Sequence, residues 1–273
     1  MCDACVIDDV KRRMLSRRDF FRASAGAGAA AALGAGLAPA PARAQTGGGM
    51  VDMTHTLTED FPTFFGDQQF FLDRVVSFAE DGFNAFDIRV HEHTGTHIDA
   101  PLHFSEDGDS VDQIPVDRLI VPLAVIDIRE KAEADPDAQL TPDDIAAWQE
   151  RHGDLPRGAC VAMNSGWARH VGGTMFRNAD DDGVMHFPGF HPEASAMLRE
   201  ANDIAGMAVD TLSLDHGLSA DFATHYDWLG SGRWGIECLA GLDEVPEAGA
   251  VLVVGAPKHA GGSGGPARVF TLL

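Results

Sequence analysis

One stretch of sequence, residues 93–104, restricts the fold of this chain more than any other. It reads His-Thr-Gly-Thr-His-Ile-Asp-Ala-Pro-Leu-His-Phe and carries four side chains of metal-ligand type. These side chains are His93, His97, Asp99 and His103. All are separated by even numbers of residues, and even offsets in extended backbone place side chains on one face. A helix would turn Asp99 about 160° away from His97, and the glycine and proline of the run disfavour a helix. We therefore predict extended backbone with tight local bends.

The four side chains suit a divalent metal. Neutral imidazoles and a carboxylate match borderline ions such as zinc, manganese or iron. Two histidines and one aspartate leave coordination positions open, and a bound divalent ion lowers the pKa of water towards about 7. His103 is then predicted to move protons, because the usual pKa of histidine lies near neutrality. His91 and Glu92 are interpreted as flanking residues.

The N-terminus has the pattern of an export signal. Basic residues precede an uncharged run at 23–37, which is too short and too weakly apolar to span a bilayer. Residues 42–44, Ala-Arg-Ala, form a small-residue cleavage site. Residues 16–21, Ser-Arg-Arg-Asp-Phe-Phe, resemble the twin-arginine signal, with a general secretory signal as the alternative. We predict a cleaved twin-arginine signal at 1–44 that uses the twin-arginine export machinery. The remainder, 45–273, is predicted to be one domain without a stable membrane anchor, periplasmic or extracellular.

Charge and cysteine content narrow the partners. The net charge of −22 opposes binding to nucleic acid phosphates. An acidic surface indicates solubility or a saline habitat more often than a cationic partner. Cleavage of the signal would remove Cys2 and Cys5, whose C-x-x-C spacing otherwise suggests a metal or redox motif. Cys160 and Cys238 remain, and they either pair or stay as buried free thiols.

Apolar periodicity predicts an α/β domain. Runs rich in β-branched residues predict strands. These lie at 86–90, 120–128, 159–164, 204–209 and 251–254. Helices are predicted at 142–152, 192–202 and 219–230. Thr141 is the expected N-cap of the first helix, followed by proline and two acidic residues. Strands that alternate with helices are typical of α/β architecture.

The run at 93–104 resembles the His-x-Gly-Thr-His-x-Asp-x-Pro-x-His-Phe pattern of the cyclase family, which includes bacterial kynurenine formamidases and isatin hydrolases. Residues 52–55, Asp-Met-Thr-His, and 209–215, Val-Asp-Thr-Leu-Ser-Leu-Asp, resemble two further blocks. His225 with Glu237 resembles the family's late histidine and glutamate. The resemblance runs from about residue 50 to the C-terminus. The chain departs from the family at two places, namely Cys238, where asparagine is common, and residues 264–266, Gly-Gly-Pro, where Gly-Ser-Pro is common.

The resemblance implies a fold, a site and an assembly. The expected fold is a mixed β-barrel-like sheet flanked by helices, forming a dimer or tetramer. His93, His97 and Asp99 would hold the principal ion, zinc or manganese. His225 and Glu237 would complete a second position in members that hold two ions, and His103 would be the catalytic acid and base.

The predicted reaction is metal-dependent hydrolysis of an amide bond by activated water. An aryl formamide such as N-formylkynurenine, an intermediate of tryptophan catabolism, is the first expected substrate, although export argues against a housekeeping role in that pathway. A cyclic amide such as isatin is the close alternative. A non-catalytic periplasmic metal- or ligand-binding protein, or a lyase or true cyclase, remains open.

A small aromatic substrate would need flat apolar walls, and aromatics in loops bearing glycine or proline are the best candidates. The predicted pocket residues are Phe64, Phe65, Trp167, Phe190 and Trp228, with Phe187 and Tyr226 as further candidates.

Overall fold

The structure, a computed structural model, describes residues 49–201 and 203–273. The signal predicted at 1–44, with Cys2 and Cys5, lies outside the described residues. The strands are β1 (Met50–Asp52), β2 (Phe70–Val76), β3 (Ala85–Val90), β4 (His97–Asp99), β5 (Ile120–Asp127), β6 (Gln139–Leu140), β7 (Cys160–Asn164), β8 (Gly189–Phe190), β9 (Gly206–Val209), β10 (Trp234–Glu237), β11 (Ala250–Gly255), β12 (Gly264–Pro266) and β13 (Arg268–Leu272). The α-helices are α1 (Phe78–Asp81), α2 (Arg129–Ala134), α3 (Pro142–His152), α4 (Pro192–Glu200) and α5 (Ala223–Leu229). Within the described ranges, no helix is long and apolar enough to cross a membrane.

Nine strands form one mixed sheet in the order β1-β13-β11-β5-β7-β9-β10-β4-β12. The central strands β5, β7, β9 and β10 are parallel, whereas the strands on both flanks pair antiparallel. The sheet curls into a half-barrel with few helices. The remaining strands form the hairpin β2–β3 and the short pair β6–β8. The predicted mixed β-barrel-like sheet flanked by helices is confirmed.

The central strands are buried on both faces. Along β5, Leu123 and Val125 join one hydrophobic cluster, whereas Ala124 and Ile126 join another. Side chains from α3, α4 and α5 pack into the second cluster, so these helices cover that face. Burial on both faces explains why the sequence shows continuous apolar runs here instead of alternation.

The five predicted strands are confirmed as β3, β5, β7, β9 and β11. The first predicted helix is confirmed as α3, with a capping box between Thr141 and Asp144. The second, α4, ends at Glu200, and residue 202 of its predicted span lies outside the described residues.

The third predicted helix is wrong at its start, because α5 begins at Ala223 and not at Ser219. The carboxylate of Asp215 explains the late start. It accepts the backbone N–H groups of Thr224 at 2.9 Å and His225 at 3.1 Å, and so satisfies two donors of the first turn. A cap supplied from eight residues before the helix leaves no local sequence signal.

The two cysteines left open by the sequence are both buried free thiols, so the disulfide alternative is wrong. Burial raises the pKa of the Cys160 thiol and of the Cys238 thiol, which keeps both protonated. Cys238 has a φ of 54°, a left-handed conformation that asparagine tolerates better than cysteine. The conformation therefore gives a physical reason for the asparagine that the family often has there.

Candidate metal centre

Strand β4 separates core side chains from site side chains by simple alternation. Ile98 points into the hydrophobic core, so His97 and Asp99 lie on the opposite face. In the antiparallel pairing with β10, Glu237 stands directly across from His97. Nε2 of His97 lies 3.3 Å from Glu237 Oε2 and 3.3 Å from Asp99 Oδ1. Strand register therefore brings these three side chains together.

His93 reaches the cluster through a bend, in agreement with the local bends predicted for this run. Gly95 adopts a φ of 69°, and a side chain there would also collide with Leu57. Nδ1 of His93 lies 2.6 Å from Asp99 Oδ1. On β12 the residue paired with Asp99 is Gly264, where a Cβ atom would lie only 2.8 Å from His93 Cε1. The absence of a side chain at Gly264 leaves room for the His93 ring.

His225 enters from helix α5. Its Nε2 lies 3.0 Å from Glu237 Oε1 and 3.8 Å from Asp99 Oδ2. Its Nδ1 lies 2.6 Å from Asp215 Oδ2, so a proton on Nδ1 is held by that carboxylate and the Nε2 lone pair faces the cluster. Asp215 thus begins the helix and orients its histidine.

His103 ends a single 3-10 turn, Pro101–His103, and its ring stacks on that of His93 with centroids 3.7 Å apart. The prediction of extended backbone with tight local bends is correct, since His97–Asp99 is extended, bends precede it and this turn follows it. Burial, opposed by the charge of Asp99, lowers the pKa of His103 to about 4. The ring is therefore neutral at pH 7 and can accept a proton.

The donor set fits a divalent ion. Nδ1 of His97 donates to the Gly95 carbonyl oxygen at 2.8 Å, which leaves its Nε2 lone pair pointing into the cluster. That Nε2 and Asp99 Oδ2 are buried and have no hydrogen-bond partner among the described residues. Leaving such atoms unpaired costs about 1–3 kcal/mol each, and a cation would satisfy both. Two groups of three residues could each hold an ion, because the donor atoms within each group lie within 4.8 Å of one another. One group is His93, Asp99 and His103, and the other is His97, Asp99 and Glu237.

The carboxylates make the cluster attractive to positive charge. Burial alone would lower the pKa of His97, but Asp99 and Glu237 together raise it to about 10. Burial is likewise outweighed at His225, where Asp215, Glu237 and Asp99 raise the pKa to about 10. The same field would favour a divalent cation in place of these protons.

A cavity of about 250 Å³ opens directly onto the cluster. Phe64 and Phe65 line it, as do Phe104 and Phe222, which were not among the pocket residues predicted from sequence. The ring centroids of Phe104 and Phe222 are 5.6 Å apart, so they form one continuous aromatic wall. Ser213 also lines the cavity, and its Oγ is buried without a hydrogen-bond partner among the described residues.

Three predicted pocket residues need correction, because the structure places them in hydrophobic cores away from the cavity. Trp167 is 2% exposed, and its indole N–H donates to the Phe176 carbonyl. Phe190 and Trp228 lie in the cluster between sheet and helices. Of the further candidates, Phe187 is also buried, whereas Tyr226 is exposed and lies edge-on to Phe104. A neighbouring glycine or proline did not mark these aromatics as pocket residues, because their large apolar area is buried where the layers meet.

Fold and site together define a cyclase-family hydrolase. A family model described as a putative cyclase matches residues 51–216, and the chain belongs to this family. The resemblance inferred from the run at 93–104 is thereby confirmed.

The relatives are named for two amide substrates. Isatin hydrolase of Roseibium aggregatum is 36% identical over 67% of this chain and 72% of the relative. Kynurenine formamidase of Salinibacter ruber is 25% identical over 80% of this chain and 95% of the relative. The solved structure of isatin hydrolase A from Ralstonia solanacearum has a TM-score of 0.79 and 33% identity, covering 88% of this chain and all of that one.

A structure described as a predicted metal-dependent hydrolase from Bacillus stearothermophilus has a TM-score of 0.64 and 26% identity, covering 82% of this chain and 98% of that one. This description of the neighbour as metal-dependent agrees with the cluster of donor atoms in this chain. A second family model, for the twin-arginine translocation signal, matches residues 14–34. The chain is therefore exported, and the predicted use of the twin-arginine machinery is confirmed.

Proposed function

We propose that this chain hydrolyses the C–N bond of a small aryl amide, with a divalent ion held in the histidine–carboxylate cluster. The observation that carries the proposal is a pair of buried atoms without hydrogen-bond partners among the described residues, His97 Nε2 and Asp99 Oδ2, in a cluster whose histidines and Glu237 line an aromatic cavity. Buried polar atoms without partners are rare in proteins, and here both belong to one set of residues whose possible ligand atoms lie within 4.8 Å of one another. A site of this kind is consistent with the hydrolases that the chain resembles.

His93, His97 and Asp99 would hold the principal ion, with Glu237 and His225 completing the shell or a second position. Zinc and manganese both suit this mixture of nitrogen and oxygen donors. When bound, the ion would polarise the amide carbonyl and make water acidic enough to ionise near neutral pH.

The residues of the chain then divide the remaining work. His103 is neutral at pH 7 and takes the proton from the attacking water, then delivers it to the leaving nitrogen. Phe64, Phe104 and Phe222 hold a flat ring against the aromatic wall and limit access of bulk water. The free hydroxyl of Ser213 bonds a polar substituent of the substrate and fixes its orientation.

The cavity favours a compact, uncharged substrate. N-formylkynurenine carries a charged amino acid tail, yet none of the described residues lining the cavity is lysine or arginine. At about 250 Å³ the cavity lies near the lower end of the range for ligand sites. We therefore propose a cyclic aryl amide of the isatin type as the first candidate substrate, in place of the aryl formamide predicted from the sequence. The higher sequence identity to isatin hydrolase than to kynurenine formamidase agrees with this order.

The test is a hydrolysis assay of the purified, metal-loaded protein. Isatin and N-formylkynurenine would be supplied separately, with zinc or manganese, and product formation followed by absorbance with and without a chelator. We expect turnover of the cyclic amide that the chelator abolishes and added metal restores. Turnover that survives chelation, or metal-loaded protein that hydrolyses neither an aryl formamide nor a cyclic aryl amide, would overturn the proposal.

A binding protein that kept the site but lost turnover is the other class to separate. It would bind metal and an aromatic amide without releasing product, and the His103→Ala variant would bind both as well as the wild type.

We propose that the enzyme works in the periplasm, where the twin-arginine pathway would deliver it already folded and loaded with metal.

A further inference from the structure

A chain of hydrogen bonds runs from the ring of His93 to the protein surface. Nε2 of His93 lies 3.0 Å from Ser263 Oγ, and Ser263 Oγ donates to Glu92 Oε2 at 2.6 Å. The backbone N–H of Ser263 donates to the same oxygen at 3.1 Å. The other carboxylate oxygen of Glu92 lies 2.8 Å from Nε2 of His259, whose side chain is 48% exposed. The reaction proposed above assigns no role to Ser263, Glu92 or His259.

The carboxylate of Glu92 determines which atom donates and which accepts in each of these hydrogen bonds. An ionised carboxylate only accepts hydrogen bonds, so the single hydroxyl proton of Ser263 goes to Glu92. The lone pairs of Ser263 Oγ are then left to accept a proton from His93 Nε2. A histidine offers its Nδ1 lone pair to an ion only when the ring proton sits on Nε2. In the metal-free protein a proton lies between Nδ1 of His93 and Asp99 Oδ1, which are 2.6 Å apart. Because Ser263 holds a proton on Nε2, an ion can replace the proton on Nδ1 and use its lone pair.

We propose that Glu92 and Ser263 are positioning residues that fix the ring orientation and tautomer of His93 for the metal centre. The inference rests on the proposed function, because it requires His93 to hold an ion. It assigns a task to Glu92, a residue interpreted from sequence as flanking.

The other two histidines of the cluster support this assignment. Nδ1 of His97 donates to the Gly95 carbonyl, and Nδ1 of His225 is held by Asp215. Each ring therefore has one nitrogen anchored by the protein and one facing the cluster. Metal-binding histidines almost always have such an anchor on the far nitrogen. For His93 the anchor is Ser263, supported in turn by Glu92.

The glycine-rich segment around Ser263 is shaped for this contact. A Cβ atom at Gly262 would lie 2.6 Å from Glu92 Oε1 and would overlap the His259 ring. At Gly264 it would lie 2.8 Å from His93 Cε1. From 261 to 265 the sequence is Gly-Gly-Ser-Gly-Gly, so Ser263 supplies the only side chain. Segment 261–265 therefore approaches His93, Glu92 and His259 closely, and it contributes a single hydroxyl group to their hydrogen bonds.

The test compares Glu92→Gln with a matched control, Glu247→Gln. Glu247 also lies 2.9 Å from a surface histidine, His152, and belongs to neither the cluster nor the cavity. In E92Q the amide oxygen can still accept the Ser263 backbone N–H, but an uncharged amide is a weaker acceptor for the Ser263 hydroxyl than a carboxylate. The hydroxyl can then turn and donate to Nε2 of His93, which shifts the ring proton to Nδ1. Metal affinity would be measured with Co²⁺ and with Zn²⁺ alone, by competition with a chelator. We expect the dissociation constant of E92Q to rise by roughly 10–100-fold and that of E247Q to stay unchanged.

Two further measurements separate positioning from a structural role. The visible absorption spectrum of Co²⁺ reports its ligand geometry and should change in E92Q and Ser263→Ala, whereas Ser263→Thr keeps the hydroxyl and should resemble the wild type. Thermal unfolding of the metal-free variants should match that of the control. Affinity and spectrum equal to those of E247Q, or a loss of affinity explained by unfolding of the metal-free protein, would overturn the inference. Wild-type protein that takes up no ion would instead refute the metal centre itself, before any variant is compared.

Discussion

Two buried aspartates, Asp99 and Asp210, show how differently one side chain can be used in this fold. Both are at most 1% exposed. Asp210 is surrounded by donors of the protein itself, namely the Ser165 N–H at 3.2 Å, the Ser165 hydroxyl at 2.5 Å and the Trp167 N–H at 2.8 Å. Asp99 faces imidazole nitrogens, and its Oδ2 has no hydrogen-bond partner among the described residues.

The pKa directions follow the same division. Burial raises the pKa of Asp210, although its three donors oppose this. Burial acts in the same direction on Asp99, but the charge of His97 and the hydrogen bond with His93 hold its pKa well below the usual range. A carboxylate such as Asp210, whose oxygens accept hydrogen bonds from backbone and hydroxyl donors, stabilises the fold. A carboxylate such as Asp99, which faces ring nitrogens and has one oxygen without a hydrogen-bond partner, is suited to bind a cation.

The largest expected effect separates these two aspartates directly. Asp99→Asn should abolish metal uptake and turnover while the metal-free protein still folds, because the variant removes the charge shared by the donor sets. Asp210→Asn should keep the metal and most of the activity. It should lose about 1–3 kcal/mol of unfolding free energy, because its amide group cannot accept from every donor around it. Metal analysis, turnover and thermal unfolding of both variants check this, and equal effects on metal content would refute the division.

His103→Gln should have the next largest effect. The metal should stay bound, whereas turnover should fall by roughly 10²–10⁴-fold, the usual contribution of general acid and base catalysis. His97→Ala is the contrasting variant and should lose metal and turnover together. Metal content measured beside kcat distinguishes the two, and a His103→Gln protein with wild-type kcat would show that another group moves the proton.

Asp215→Asn should weaken the site by roughly 10–100-fold in metal affinity or turnover, because the uncharged amide no longer holds the proton of His225 on Nδ1. Asparagine keeps an acceptor for the first turn of α5, so the helix should persist. Chelator competition and circular dichroism test the two halves of this expectation. Unchanged affinity would mean that His225 does not contact the ion.

The smallest effect is expected at Asp144, a partly exposed carboxylate paired with Lys131 at 2.6 Å and with the Thr141 N–H at 2.7 Å. Burial would raise its pKa, but Lys131 and Thr141 lower it overall. The folded state therefore binds this proton less readily than the unfolded state. Its stabilisation is present above the usual pKa of 3.8 and is lost as pH falls through the lower folded value. Asp144→Asn should cost about 1 kcal/mol at pH 7 and progressively less below pH 3.8 in chemical unfolding. A penalty that is constant with pH would contradict the charge argument.

The sequence predicted which residue types could bind a metal better than it predicted the backbone elements that bring them together. The histidines and Asp99 lie in one short run, and the even spacing correctly indicated that His97 and Asp99 share a face. It did not explain His93 or His103, which arrive through a glycine bend and a 3-10 turn. The glycine and the proline of the run predicted that the chain bends, but the direction in which each bend turns its histidine depends on contacts with residues far along the chain.

The fold was predictable where the strands are long and buried on both faces, as in β5 and β7. It was not predictable for β10 and β12, which contain four and three residues and show no periodicity of their own. The prediction of the aromatic residues that line the pocket was partly wrong for the same reason. Whether Trp228 or Phe222 faces the cavity depends on how the segment before α5 packs, and composition alone treats both as apolar.

The most direct test of the central claim is metal titration of chelated protein with turnover of a cyclic aryl amide measured at each step. We expect activity to rise in proportion to the ions bound and to reach its plateau when the histidine–carboxylate cluster is filled. Asp99→Asn protein should show neither uptake nor activity under the same conditions. Wild-type activity that is independent of bound metal, or full metal uptake by Asp99→Asn, would contradict the account.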